Sequence, residues 1–303
     1  MTQHDFIPQI YYTTIGPHEP VLTIAPGDRV TTKTADARGH DHTGEKVAER
    51  GNPMTGPFYV EGAMPGDTLA VTFESVWPNR TTGFTSPRIA PAVLEPGLCI
   101  APEEGVELCT WTVDLEAGTA RMSEPASQLA DLVLPLEPML GCFGVAPSGG
   151  QAISTATSST HGGNMDYRGF GPGATVYLPV SEPGALFFLG DGHAIQGDGE
   201  IVGTGIEISM DVTFRVEVRH DWPVTWPRAE SDAYIMTVGN ARPLDQGVQH
   251  ATTEMLRWLE ADFGLEPLAA HSLLGQCVEY DLGNVFDPAY TMVCKLRRSV
   301  LPA

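Results

Sequence analysis

The feature that most restricts how this chain folds is a stretch of strict alternation from Ile206 to Val218. Ile206, Ile208, Met210, Val212, Phe214, Val216 and Val218 occupy every second position, with only polar or charged residues between them. Side chains of a strand point alternately to opposite faces, so the run predicts a long strand, half buried in an antiparallel sheet. Leu69–Val76, Thr110–Leu115, Val176–Val180 and Gly184–Leu189 are further strand candidates. The 303 residues include 33 glycines and 25 prolines, roughly a fifth of the chain against ~12% in average usage. Both residues break helices and punctuate turns. The expected class is mainly β with a few helices, a β-rich α+β chain.

One segment has helical rather than strand periodicity. From Leu244 onward Val248, Met255, Leu256, Trp258 and Leu259 recur near a 3.6-residue period, with Asp245 as expected N-cap and Gly264 as stop. A second, shorter helix is expected over 268–277. Residues 78–96, with four prolines, read as a long surface loop. No internal repeat or low-complexity linker divides the chain. It therefore reads as one unit over 1–303, with sub-lobes at about 1–150 and 151–303.

Lysine and arginine number 17 and aspartate and glutamate 38, a formal charge of −21. That excludes the simplest nucleic-acid binder, which needs clustered cations to neutralise phosphates, and disfavours docking on an anionic membrane. With 42% hydrophobic and 18% charged residues, the acidity belongs to a folded chain and not to a disordered one. Met1–Phe6 lacks the basic and apolar regions of a secretory signal, and no apolar run is long enough to span a bilayer. The five cysteines (99, 109, 142, 277 and 294) form an odd set without CxxC spacing. Reduced, mostly buried thiols in a cytoplasmic protein are the expectation. Cys142, within Gly141-Cys-Phe-Gly144, is the one candidate nucleophile among them.

Reactive side chains concentrate in two blocks. Ser158-Ser-Thr-His161-Gly-Gly-Asn164-Met-Asp166 joins an imidazole, an amide and a carboxylate around two glycines. Gly190-Asp191-Gly-His193-Ala-Ile-Gln196-Gly-Asp198-Gly-Glu200 sets three acids, an imidazole and an amide among four glycines. Histidine and carboxylates converging from separate loops make a divalent-metal donor set, with water activation as the usual chemistry. Upstream lie Asp36, Arg38, His40, Asp41, His42 and Glu45. Structural readings compete with each of these. Asp191-Gly192 and Asp198-Gly199 also fit tight hairpin corners, His161 fits a satisfied loop histidine, and His40/His42 fit an exposed loop. Other catalytic templates fail: Ser148 lacks the first glycine of GxSxG, there is no GxxxxGK[ST] loop, and the glycines at 190–199 miss dinucleotide-fingerprint spacing.

Through Thr55–Asp67, Gly141–Pro147, His161–Asp166 and Gly190–Glu200, in that order and spacing, the sequence resembles the acetamidase/formamidase family, over roughly residues 20–300. The resemblance implies a sandwich-like core plus a smaller lobe, and hydrolysis of short linear amides such as formamide or acetamide to ammonia and a carboxylate; some relatives open lactams. It implies Asp36, His161 and Asp191 as metal ligands, with His193, Asp198 and Glu200 beside them, and a homodimer or higher homo-oligomer. Zinc is the first expectation for the ion, with calcium or manganese as alternatives. This chain departs from the family pattern at Gly39-His-Asp-His-Thr-Gly-Glu45, which bears on the substrate pocket and the metal count.

A metal-dependent amidohydrolase needs a carboxylate to take the water's proton and deliver it to the leaving nitrogen. Glu200 is the expected base, Asp198 the second choice, and His193 a shuttle; Asn164 and Gln196 are expected to orient the small amide, since each offers donor and acceptor. Two alternatives stand beside this: covalent catalysis by Cys142 or a serine of 154–160, and a non-catalytic relative that only binds small amides.

Overall fold

The structure, a computed structural model, describes residues 1–98 and 108–302; Cys99 lies outside them. Two sheets face each other. One has nine strands, in spatial order 3–5, 29–33, 210–219, 68–78, 175–179, 228–230, 234–241, 290–297 and 279–284. The other has six, in order 158–159, 162–164, 139–145, 187–193, 55–60 and 22–24. All ladders are antiparallel except 3–5 with 29–33 and 22–24 with 55–60. Both sheets contain strands from both halves of the chain.

The expected alternating strand forms, though shorter at its start: it spans Met210–Arg219, between the strands Arg29–Lys33 and Thr68–Pro78. Ile206, Ile208, Met210, Val212, Phe214 and Val216 are all buried. Residues 206–209 leave the ladder because Glu207 bridges instead to Phe84 and His193. Between the sheets the aromatic rings meet edge to face, Phe73 with Phe143 at 5.1 Å and Phe58 with Phe214 at 5.2 Å. Burial of an aromatic of this size contributes about 1.5–3 kcal/mol, so this seam holds the two sheets in one register.

On the outer face of the larger sheet lie two helices, α1 (Leu244–Phe263) and α2 (Pro267–Cys277). Met255, Trp258 and Leu259 of α1 pack on Tyr177, Ile235 and Leu296. Gly264 ends α1 in a left-handed cap (φ 61°) as expected. Asp245 is not its N-cap; Pro243 holds that position, and Asp245 sits in the first turn, where its charge still faces the positive helix end. Residues 78–96 are not one loop. Thr82–Thr85, rich in β-formers, joins Cys109–Asp114, Thr119–Met122 and Leu134–Pro135 in a four-stranded sheet, the smaller lobe. Among the described residues no helix is long and apolar enough to cross a membrane.

Candidate active site

Strand Phe187–His193 lies inside the six-stranded sheet, and it carries Asp191 and His193 on one face because they are two residues apart. Gly190 and Gly192, on either side of Asp191, serve the opposite face. A Cβ at Gly190 would lie 2.6 Å from the Met54 methyl, and one at Gly192 would lie 2.8 Å from the Ile208 carbonyl. Neighbouring strand Met139–Val145 offers Gly141, whose carbonyl accepts the N–H groups of Met165 and Asp166 at 3.0 Å each. A Cβ there would strike Asp166 Oδ1 and stand 2.8 Å from Asp191 Oδ2 and 3.0 Å from His193 Cε1. Gly141 thus leaves room for a cluster of side chains that converge in front of it.

Five carboxylates and one imidazole form that cluster. Ligand atoms of Asp166, Asp191 and His193 lie within 4.8 Å of one another, as do those of His193, Glu200 and Glu207, and those of Asp166, Glu200 and Asp287. His193 is completely buried and stands at the junction. Gln196 Nε2 donates to the carbonyls of Asp166 (2.5 Å) and Gly283 (3.3 Å), so its Oε1, 2.8 Å from His193 Nδ1, is the acceptor. That assignment puts a proton on Nδ1 and turns Nε2 toward Glu207 Oε1 at 2.9 Å, Asp191 Oδ1 at 3.6 Å and Glu200 Oε1 at 3.9 Å.

An amide network frames the acids. Asn284 Nδ2 lies 2.6 Å from Asp166, 2.7 Å from Asp287 and 3.0 Å from Glu200. Asn164 donates to Asp287 at 2.6 Å, and Asn52 bridges Asn164 and Asp191. Of the seven non-glycine residues with positive φ among the described residues, four are here: Asn52, Asp166, Asp191 and Glu200, between 46° and 57°. Such backbone strain costs of order 1–3 kcal/mol per residue and persists where surrounding structure enforces it, commonly at functional sites.

Burial and mutual repulsion raise the acids' proton affinity. Burial first, then neighbouring Asp191, pushes Asp166 well above the carboxylate range, and burial with Asp166 does the same to Glu200. Glu207 rises to about 7 through burial and the charge of Asp191, against the opposing pull of His193. Burial works against a charged His193, yet Glu207 and Asp191 hold its pKa well above the ordinary imidazole value.

So much buried negative charge calls for a counter-cation. Asp166 Oδ1 and Glu207 Oε2 are buried without a hydrogen-bond partner, and His193 Nε2 faces only carboxylates. Carboxylate oxygens with one imidazole nitrogen suit a divalent ion, and the Gly141 cradle keeps its place clear, so these residues could hold one. A cavity of about 320 Å³ opens onto the cluster, lined by Asn52, Asn164, Asp191, Glu200, Glu207 and Asp287.

The residues singled out from sequence divide into two sets. Asp191, His193, Glu200 and Asn164 come together. Gln196 joins them but spends its amide on His193 and two carbonyls. Asp198 points away, over half exposed and 3.6 Å from Arg168; neither Asp-Gly pair is a hairpin corner, since Asp198-Gly199 lies in a short 3₁₀ turn, Asp198–Glu200, and Asp191-Gly192 lies within a strand. Asp36 is buried but paired with Arg80 at 2.5 Å and bonded by the N–H groups of Arg38 and His40, outside the three donor groups. His161 is buried with both ring nitrogens unpartnered, and burial lowers its pKa to about 4; it too lies outside the three groups. Cys142 is fully buried, its thiol donating to the Thr155 carbonyl at 3.6 Å. Burial and then Asp191 push its pKa up, away from thiolate. Sequence reasoning missed Glu207, Asp287, Asn284 and Asn52. Glu207 was hidden as an ordinary polar member of the alternating run, and the other three carry no local signal.

Similarity to known proteins accords with this geometry. A family model described as the Acetamidase/Formamidase family matches residues 149–287. The structure superposes on the crystal structure of an acetamidase from Yersinia enterocolitica with a TM-score of 0.85 and 34% identity, covering 99% of this chain and 93% of that one. The chain belongs to the acetamidase/formamidase family. It is also similar to an acetamidase of Mycolicibacterium smegmatis, 32% identical over 54% of this chain and 53% of that protein. A formamidase of Methylophilus methylotrophus is 25% identical over 55% and 52%. The matches span about half the length of these curated relatives.

Proposed function

We propose that the chain hydrolyses the C–N bond of linear amides, releasing ammonia and a carboxylate, and that Asp166, Asp191 and His193 hold a divalent metal ion, zinc in the first instance. The observation that carries this reading is the buried convergence of carboxylate oxygens on one imidazole beside a cavity, in a chain of this family. A bound cation would polarise the amide carbonyl and lower the pKa of the attacking water. Glu200 takes the water's proton and returns it to the departing nitrogen, a role suited to a carboxylate that lines the cavity beside the donor group. Glu207, which also lines the cavity, is the second candidate. Asn164 lines it too and offers its amide to the substrate. Gln196 acts on His193, fixing its tautomer, and not on the substrate. Asp36 fixes loop 36–42 through Arg80 and the N–H groups of Arg38 and His40, while His161 stands buried and neutral outside the donor groups. We also read the chain as one catalytic unit, a cytoplasmic homo-oligomer, consistent with the four described cysteines being free thiols.

The test is ammonia release from formamide and acetamide after exhaustive chelation, with metal content measured. Activity is expected to vanish on stripping and to return with zinc, manganese or calcium. Undiminished turnover in protein verified as metal-free would overturn the metal-assisted reading.

A further inference from the structure

The small cavity above the carboxylate cluster adjoins a larger one of about 630 Å³, and Arg38 and Phe84 line both. Formamide or acetamide would fill a minor part of this space. The walls of the larger chamber are rigidly built. Arg80 pairs with Asp36 and also donates to the carbonyls of Asp41 (3.3 Å) and Thr82 (2.8 Å), locking loop 36–42 onto strand Thr82–Thr85. Asp36 accepts the N–H groups of Arg38 and His40, which sets where that loop presents Arg38. The Arg38 guanidinium lies 5.6 Å from the Phe84 ring centre, and the Phe84 backbone exchanges hydrogen bonds with Glu207 at 2.9 and 3.2 Å. Arg38 is therefore held in fixed relation to the reacting centre without belonging to it.

Among the described residues its charge meets the Phe84 ring and no carboxylate. Acids outnumber bases 38 to 17, yet among the described residues no carboxylate lies within ion-pair distance of Arg38 or of Arg50, which lines the smaller cavity. A neutral amide gains nothing from two cations at the rim. A substrate carrying a carboxylate would be repelled by the five acids of the cluster unless its charge were held away from them. An arginine fork at the rim provides that second anchor, because it matches a carboxylate in shape and charge.

We propose that the substrates are amides bearing a carboxylate at the end remote from the scissile bond, bound by Arg38 with Arg50. This rests on the amidase reading and extends it to a substrate class. The test compares ammonia release from ω-carboxy amides of increasing length, malonamate to adipamate, with that from neutral amides of equal length. The unmodified protein is expected to favour the charged series, with an optimum chain length. Arg38→Met is expected to cut the charged-to-neutral ratio of kcat/KM roughly tenfold or more, as loss of a charge-assisted hydrogen bond does. Arg38→Lys should retain part of it, and Arg50→Met should lower it further. Equal treatment of charged and neutral amides, or a preference that survives both methionine variants, would overturn the proposal while leaving the amidase reading intact. Calorimetric binding of glutaramate to chelated protein, against valeramide, needs no turnover. Binding lost in Arg38→Met supports the anchor even if no amide is cleaved, and binding indifferent to Arg38 refutes it.

Discussion

Gly141→Ala isolates the steric design of the site. Gly141 does not have positive φ, so alanine brings no backbone strain and adds only a methyl group. That methyl would overlap Asp166 Oδ1 and sit 2.8 Å from Asp191 Oδ2, where a comfortable contact is about 3.5 Å. Asp191 must retreat by about 0.7 Å and Asp166 by more than that, and they have nowhere to go, being buried and tied to Asn284 and Asn52. Overpacking of this kind costs about 1–3 kcal/mol, a fall in Tm of a few degrees for a chain this long. The functional loss is expected to be larger, because a displacement of about 1 Å at a reacting centre costs roughly a hundredfold. Thermal melting followed by circular dichroism measures the first effect. Ammonia release and competition with a metal chelator measure the second. A variant with unaltered metal affinity and turnover would refute the claim that this glycine keeps the cluster's space clear.

Gln196→Leu removes the acceptor that holds the proton on His193 Nδ1, and metal affinity should fall about 10–100-fold, as for other second-layer partners of a ligand; unchanged affinity would remove Gln196 from the design. Cys142→Ala should release ammonia within about twofold of the unmodified protein, at a stability cost of about 1 kcal/mol, whereas abolished turnover in a folded variant would revive the covalent route. At the N-terminus, hydrogen bonds led by the His4 ring hold Asp28 down at about 2. A carboxyl depressed in the folded state stabilises above its unfolded value of about 3.9 and ceases to as pH falls through the folded one. Asp28→Asn should therefore cost about 1–2 kcal/mol near pH 7, with the gap in melting temperature narrowing below about pH 4. A gap independent of pH would show that the charge contributes nothing.

Periodicity alone determined the β-rich class, the strand at 210–219, and both helices with the Gly264 cap, because alternation and a 3.6-residue repeat are imposed by which face each element buries. Composition alone located half the site, since glycines within a buried strand require close packing on one face and leave Asp191 and His193 on the other. Tertiary structure decided the rest. Asp36 and Asp198 are, as letters, the same residue as Asp191. The fold gives one to Arg80, turns one to solvent beside Arg168, and buries the third among like charges. Glu207 occupies a polar slot in an alternating run, and only the departure of residues 206–209 from the sheet brings it to His193. Asn52 and Asp287 come from segments more than two hundred residues apart. A local window records residue type and spacing; which charges share a cavity is decided by the long-range strand pairings that bring distant segments together.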